Sequence, residues 1–549
     1  MKRKAILLDV RSIQRYIYAA NKLRTNIGAS YIVENLFQEK LVDVLNKEFS
    51  GNKDLHSWND AKAGVSEDYD CQIAYIGGGN AMVLFNPSIE DDELKRLIAL
   101  FSQKVMIEAP GLHIGAAIGE LDVSDEGYEE SRNNLFKILK ENQNNISPNV
   151  SLPYTGFTQV CGYDGEVATY NDAEDRLFSA DEKHQYYSHE AAAKALVFSE
   201  ANKTLAKMFS DELGDIYDFP TKLDELGQTE PNNYIAIVHI DGNNMGVKFS
   251  NCTTLNKHRS LSASIKKKTK NSFAKLLRKI IAEYDEYREH EALKTQEAKG
   301  KKLLPIRPLI IGGDDVTFVC PAKVAIAYSK RFIHYMAEYA PENENDASLK
   351  IEDDEAKSID CCGGIAILNT KYPFFRGYML SEKLCDTAKK KMRETWDQDI
   401  KGSGSSWLDF VFLHGEQAPT LEQILDKEYK AVMGNMHFGP YCVIKNTAGK
   451  QIDDDHLLDK LIECAKQFSQ KGKYMQKNKV KGLRAVLQKD KGMIQSFMVQ
   501  LNHLGQKLPS VEYGHVDKET GWGTLDEKKF TPYVDAIELM DYMEGAEKK

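Results

Sequence analysis

PLIIGGDDVTFVC, residues 308–320, decides how this chain is read. Two short runs rich in Ile, Val and Phe flank Gly312-Gly313-Asp314-Asp315, the pattern of two β-strands joined by a tight turn. Glycine supplies the positive φ of such a turn and lets a phosphate come close to the backbone. An acid pair at a hairpin tip is, alone, an ordinary solvated turn. The strand before it changes the reading: Tyr234–Asp241, YIAIVHID, ends in a third acid. In a β-α-β-β order the first strand neighbours the hairpin, so Asp241 is expected to face the same spot. Three converging carboxylates repel one another unless cations neutralise them. Hard divalent ions with oxygen ligands, Mg²⁺ or Mn²⁺, do so. A pair of them about 4 Å apart aligns an attacking hydroxyl and a leaving pyrophosphate. Asp241, Asp314 and Asp315 are thus the expected catalytic and metal-binding residues.

Working outward, the same order of elements occurs twice. Tyr234–Asp241 is followed by a Lys-rich helical stretch (Leu261–Glu289), the hairpin, a helix (Ala322–Ala340), a strand (Cys362–Leu368) and a helix (Leu380–Arg393). Near the N-terminus, Lys4–Asp9 (KAILLD) is a strand, and an amphipathic stretch, Ser12–Phe37, follows it. CQIAYIGGGNAMVLF (71–85) is a second hairpin, followed by a helix (Asp91–Ile107), a strand (His113–Ile118) and a helix (Glu129–Glu141). From strand-ending Asp to first turn Gly is 68 residues in one copy and 71 in the other. Each copy reads β-α-β-β-α-β plus a helix, the ferredoxin-like order of an α+β domain, with an antiparallel sheet and helices on one face. The first copy's turn, Gly77-Gly78-Gly79-Asn80, lacks the two acids. It cannot hold two metals and is read as a degenerate, acceptor-side site.

Length and composition frame this. At about 150 residues per domain, 549 residues imply three or four domains. The division expected is a first ferredoxin-like unit at 1–165, a helical connector at 166–228, a second such unit at 229–448 and a C-terminal helical domain at 449–549. A net charge of −10 leaves any nucleic-acid contact to local patches. Mean hydropathy is −0.47, and no apolar run approaches the roughly 18 residues of a membrane helix. Asp9 and Arg11 interrupt the short apolar N-terminal run, which is therefore read as a strand and not a signal peptide. The nine cysteines include no C-x-x-C and read as buried residues of a protein in a reducing cytosol.

Five stretches carry a resemblance to a known family: LLDVRSIQRYIYAANKLRTNIGAS (7–30), IAYIGGGNAMVLF (73–85), HIDGNNMG (239–246), LIIGGDDVTFV (309–319) and AKKKMR (388–393). Together they resemble the large Palm-domain subunit of type III CRISPR effector complexes, the Cas-ten or Cmr/Csm large subunit. The resemblance implies a cytoplasmic nucleotidyltransferase of antiviral defence. Such proteins join ATP-derived AMP units into a cyclic oligoadenylate messenger when guide RNA has captured target RNA. It implies that Gly312 and Gly313 lie against the donor triphosphate, and that Lys389 binds its outer phosphates. It also implies that Asn243 and Asn244 touch ribose or base. The acceptor is expected near Gly77, Gly78, Gly79, Asn80 and Ser30.

Three departures from the family pattern shape the expectations. There is no His-Asp dipeptide, so no HD nuclease activity is expected. Only Cys161 remains where many members carry a zinc finger, so zinc is not expected. Asn243 stands where a second acid is common. Lys266–Lys270, Lys299–Lys302 and Lys471–Lys489 are basic stretches that suit either RNA or solvent. Alternatives stay open: the same palm conjugating AMP to another acceptor such as S-adenosylmethionine, a non-catalytic ribonucleoprotein scaffold, or a free-standing nucleotide cyclase.

Overall fold

A computed structural model gives the fold and describes residues 1–20, 22–59, 63–145, 156–172, 177, 186–228, 233–289, 293–338, 358–395, 404–415, 419–445, 452–470 and 473–542. The first unit begins with β1 (Lys2–Arg11), α1 (Ile13–Tyr18) and α2 (Leu23–Asn35). The hairpin β2 (Cys71–Gly77) and β3 (Asn80–Phe85) follows, then α3 (Asp91–Glu108), β4 (His113–Asp122) and α4 (Tyr128–Asn144). Its sheet runs β2-β3-β1-β4, with the short strand Lys53–Asp54 beside β2. This is the ferredoxin-like order expected. Gly78 (φ +59) and Gly79 (φ +80) make the two-residue hairpin turn, the left-handed pair that a twisted hairpin favours.

After the connector helices α5 (His189–Leu196) and α6 (Phe198–Met208), the second unit repeats the plan. It comprises β5 (Tyr234–Gly242), α7 (Met245–Ser250), α8 (Leu255–Ala282), β6 (Arg307–Gly312), β7 (Asp315–Pro321), α9 (Ala322–Ala337), β8 (Cys361–Asn369) and α10 (Phe374–Thr395). Two further strands, β9 (Ser406–Phe412) and β10 (Tyr441–Ile444), extend its sheet to the order β6-β7-β5-β8-β9-β10. β5 is central and almost wholly buried, as its unbroken apolar run requires.

Two expectations are corrected. Helices cover both faces of each sheet, not one. In the first unit, Ile6, Leu8, Val83 and Phe85 pack with Leu94, Leu97 and Phe101 of α3, while Ala5, Leu7, Leu84 and Leu121 pack with Tyr128, Leu135 and Leu139 of α4. In the second, α10 presses Ser381, Leu384 and Cys385 against Gly364 of β8. Strands apolar on both faces need two covers. The C-terminal region is also not purely helical. Beside α11 (Leu458–Ser469), α12 (Lys477–Leu487) and α13 (Lys491–His503) stands a sheet of β11 (Val516–Asp517), β12 (Trp522–Leu525) and β13 (Lys528–Phe530), before α14 (Tyr533–Met540). Strands of two to four residues are too short to show a period of two.

All nine cysteines are buried, and none forms a disulfide. No helix is long and apolar enough to cross a membrane, among the described residues.

Two buried arginines tie the units together. Arg259 of α8 reaches into the first unit and donates to the carbonyls of Ala63, Ile73 and Ala74. Arg132 of α4 reaches the other way. It donates to Phe249 O at 3.0 Å, Ser250 O at 3.0 Å and Cys252 O at 2.9 Å. It thereby adds a side-chain donor to the carbonyls at the end of α7, one of which, Phe249 O, also accepts from Cys252 N.

Candidate functional site

The register of the second sheet sets the acids. Val316 of β7 pairs with Ile240 of β5, so Asp315 and Asp241 lie one step beyond, side by side at the sheet's end. Gly312 pairs with Asp315, leaving Gly313 (φ +61) and Asp314 as the turn. Asp314 leans over the end of β5: a Cβ at Gly242 would lie 2.9 Å from its Cβ and 3.0 Å from Oδ2. Gly242 is there because the carboxylate needs its space.

The three acids are held in different ways. Asp314 and Asp241 share a side-chain hydrogen bond. Burial, then the charge of Asp241, then that of Asp315, push the Asp314 carboxyl well above the usual carboxylate range. Asp241 Oδ2 accepts from the Lys389 ammonium of α10. Burial opposes the Lys389 charge, but Asp241 outweighs it and raises the amine's pKa. Asp315 is turned towards buried His239, its Oδ1 3.3 Å from Nδ1, and that oxygen makes no hydrogen bond. His239 Nδ1 also lies 3.1 Å from Thr317 Oγ1. Beneath it Tyr378 and Tyr18 stack at 3.8 Å, with Tyr378 edge-on to the imidazole.

This arrangement fits a divalent cation chemically. All the donors are carboxylate oxygens, one of them is buried with an ion-pair neighbour but no hydrogen bond, and one acid is driven towards protonation by its neighbours. Among the described residues, however, the one group of three or more His, Cys, Asp or Glu whose ligand atoms all lie within 4.8 Å of one another is Asp453, Asp455 and His515. Lys389 and His239 hold Asp241 and Asp315 in their present poses.

The first unit repeats the geometry with the charge removed. Asp9 pairs with Asn80 across β1 and β3, and Gln143 of α4 donates to Asp9 Oδ2 at 2.8 Å. Gln143 occupies on α4 the place Lys389 has on α10. Burial raises the Asp9 carboxyl, and the Gln143 amide works against it.

The two turns share one cleft of about 430 Å³. Gly77, Gly78 and Asn80 line one side and Asp314 the other, with Tyr75, Phe136, Met245, Phe249 and His258 between them. Tyr75 and His258 stack at 4.4 Å. His258 is held neutral, pushed down to about 4 by burial and then by the charges of Arg132 and Arg259. Gly77 stands where a Cβ would come 2.7 Å from Ser262 Oγ of α8.

Other expected site residues go elsewhere. Asn243 is buried, its Nδ2 donating to Ser405 O at 3.2 Å, so its side chain braces the strand ends. Asn244 takes a left-handed conformation (φ 58) at the start of α7. Gly79 is backed by Ile13, and its carbonyl accepts from Val10 N. Ser30 lines a separate cavity of about 50 Å³ beside α6 and β6. Of the basic stretches, Lys302 pairs with Asp285 at 3.0 Å, and Lys471 lies outside the described residues. Sequence reasoning missed Arg132, Gln143, His258 and Arg259. The only signal for Gln143 was its place on the helix corresponding to that of Lys389.

Residues 234–396 match the family model described as Cas10/Cmr2, second palm domain. This stretch carries β5, the acid hairpin and α10. The second unit is thus similar to the second palm domain of Cas10/Cmr2. Among solved structures, a chain of the Csm1–Csm4 cassette in complex with pppApApA matches with a TM-score of 0.51 at 12% identity, covering 99% of this chain and 69% of that one. Csm1 in T.onnurineus gives 0.48 at 13%, covering 99% and 70%. The cassette in complex with AMPPNP gives 0.41 at 14%, covering 71% of this chain and 53% of that chain, so the match spans about half of that relative's length. At 12% identity the first of these likenesses speaks for the fold alone. A search of curated proteins returns no match.

Proposed function

We propose that this protein is the nucleotidyltransferase large subunit of a type III CRISPR effector, making a cyclic oligoadenylate from ATP when the complex binds target RNA. We take it as two palms (1–165 and 229–448), a connector (166–228) and a C-terminal domain (449–549). One observation carries the reading: the acid-free Gly turn and the acid-bearing turn line the same cleft. A donor and an acceptor held there meet at Asp314.

In this reading Asp241, Asp314 and Asp315 hold Mg²⁺ or Mn²⁺, which supplies charge stabilisation for displacement at the α-phosphate. Gly312 and Gly313 present backbone to the donor triphosphate. Lys389 leaves Asp241 for the outer phosphates, a cation trading one anion for another. Stacked Tyr75 and neutral His258 offer a flat, uncharged wall to a base. The acceptor hydroxyl lies on the Gly77–Asn80 side; its oxygen bonds the α-phosphorus as the α–β anhydride bond breaks, pyrophosphate leaves, and the hydroxyl proton passes to solvent.

A second reading gives AMP to another acceptor, such as S-adenosylmethionine. The cleft favours keeping it in view: no lysine lines it, and its one arginine, Arg132, is engaged by three carbonyls. A triphosphate on the first-palm side lacks a cation there.

The test is incubation of the protein, alone and in its effector complex, with labelled ATP and Mg²⁺ or Mn²⁺. Target RNA and S-adenosylmethionine are each added or withheld, and products are read by mass spectrometry. Oligoadenylate made only with target RNA supports the first reading. An adenylylated acceptor supports the second, and no ATP consumption under any condition refutes both.

A further inference from the structure

α10 is held from two sides. On one flank Lys389 pairs with Asp241 of β5. On the other, Thr387 Oγ1 lies 2.7 Å from Asp409 Oδ2 of β9 and 2.7 Å from the Leu384 carbonyl, and its single proton goes to the carboxylate, the stronger acceptor. Asp409 is 3% exposed, and its Oδ1 faces His437 Nε2 at 2.9 Å. The other ring nitrogen, Nδ1, faces Asp535 Oδ1 of α14 at 2.9 Å. Asp535 Oδ2 in turn accepts from Phe438 N at 2.8 Å and from the Tyr441 hydroxyl.

A neutral imidazole has a single N–H, so two carboxylates can be satisfied only if both nitrogens donate. His437 is therefore an imidazolium clamped between two aspartates. The close packing is deliberate: a Cβ at Gly439 would lie 2.4 Å from Asp409 Oδ1 and 2.6 Å from His437 Nε2. Asp535 is fully buried. A hydrogen-bonded chain thus runs from α14 through Asp535, His437, Asp409 and Thr387 to the helix that carries Lys389.

We propose that His437, Asp409, Asp535 and Thr387 are positioning residues that set α10 over the sheet and so seat Lys389 on Asp241, linking the C-terminal domain to the acid site. This deepens the functional reading above and rests on it for its consequence, since Lys389 is the group offered to the outer phosphates. The geometric part stands on its own. Neutralising the clamp frees Asp409, and Thr387 loses its fixed acceptor. α10 then shifts, and the Lys389 ammonium sits less firmly on Asp241.

The experiment reads Lys389 directly in the full-length protein. Amine acylation is followed by mass spectrometry, with Lys383 on the same helix as internal reference. Thr387→Val removes one hydroxyl at constant shape and leaves the His437 clamp in place; His437→Gln removes the imidazolium. An amine no longer held against the Asp241 carboxylate is more open to the reagent, which reads as a rise in the Lys389 labelling rate relative to Lys383. That rise is expected in both variants. Labelling of Lys389 at the wild-type rate in folded Thr387→Val overturns the proposal, whatever His437→Gln does to stability. The KM for ATP is then compared, with a rise and little change in kcat expected. If the unaltered protein consumes no ATP, the functional reading fails, while the labelling result still decides the coupling.

Discussion

Asp314 shows what the site costs. An acid whose folded pKa lies above its unfolded value destabilises the fold at neutral pH, because the unfolded chain ionises it freely. Asp314→Asn removes that charge from between Asp241 and Asp315. It is expected to raise the thermal midpoint of the cation-free protein by several degrees while abolishing nucleotide product; calorimetry and a product assay check the two halves. His437 carries the opposite sign. Burial opposes its proton, but Asp535 and Asp409 outweigh it and hold the imidazole well above its usual pKa. Tyr441 donates to the cluster at Asp535. Stability from the protonated ring is complete below about pH 6.5 and is lost as pH climbs to the raised folded value, by about 1.4 kcal/mol per pH unit. Urea midpoints measured from pH 6 to 9.5 are expected to fall more steeply for the unaltered protein than for His437→Gln. Asp241, Asp314 and Asp315 were legible in the sequence because each sits at a strand end or a turn. His437 was not. Its partners stand 28 residues before it and 98 after it, and no local pattern joins them.

At the scale of elements, the turns were the most readable features. Both Gly hairpins form where expected, because positive φ and a two-residue loop leave few residue choices. Gly79 makes a direct test. An alanine there must adopt φ +80 and place its Cβ 2.5 Å from Ile13 Cδ1. Gly79→Ala is expected to cost about 1–2 kcal/mol in stability, read by denaturant midpoint, and to distort the first-palm side of the cleft. The long strands and helices followed from periodicity. What periodicity hid was which face each helix covers. α4 and α10 lie on the faces opposite α3 and α9, because strands such as β5 are apolar on both sides. The short C-terminal strands were hidden for a simpler reason. β13, Lys528–Phe530, presents two exposed lysines and carries no apolar signature.

For the whole molecule, the two arginines decide how the palms stand. Arg259 is 2% exposed and serves three carbonyls of the other unit. Arg259→Ala leaves those acceptors buried without donors, at an expected loss of about 3–5 kcal/mol. Hydrogen exchange is expected to quicken in Cys71–Gly77 and in Leu255–Ala282 together. Protection kept in one of them would mean that the arginine does not couple the two. Neither arginine was legible as a tie, since a lone Arg in a helix reads as a solvated charge. Because Arg132 and Arg259 cross in opposite directions, the gap between the two Gly turns is set when the chain folds, not when a ligand arrives. In the proposed function, a cleft so fixed would select a molecule by whether its length bridges the turns, with little entropy left to lose in closing around it.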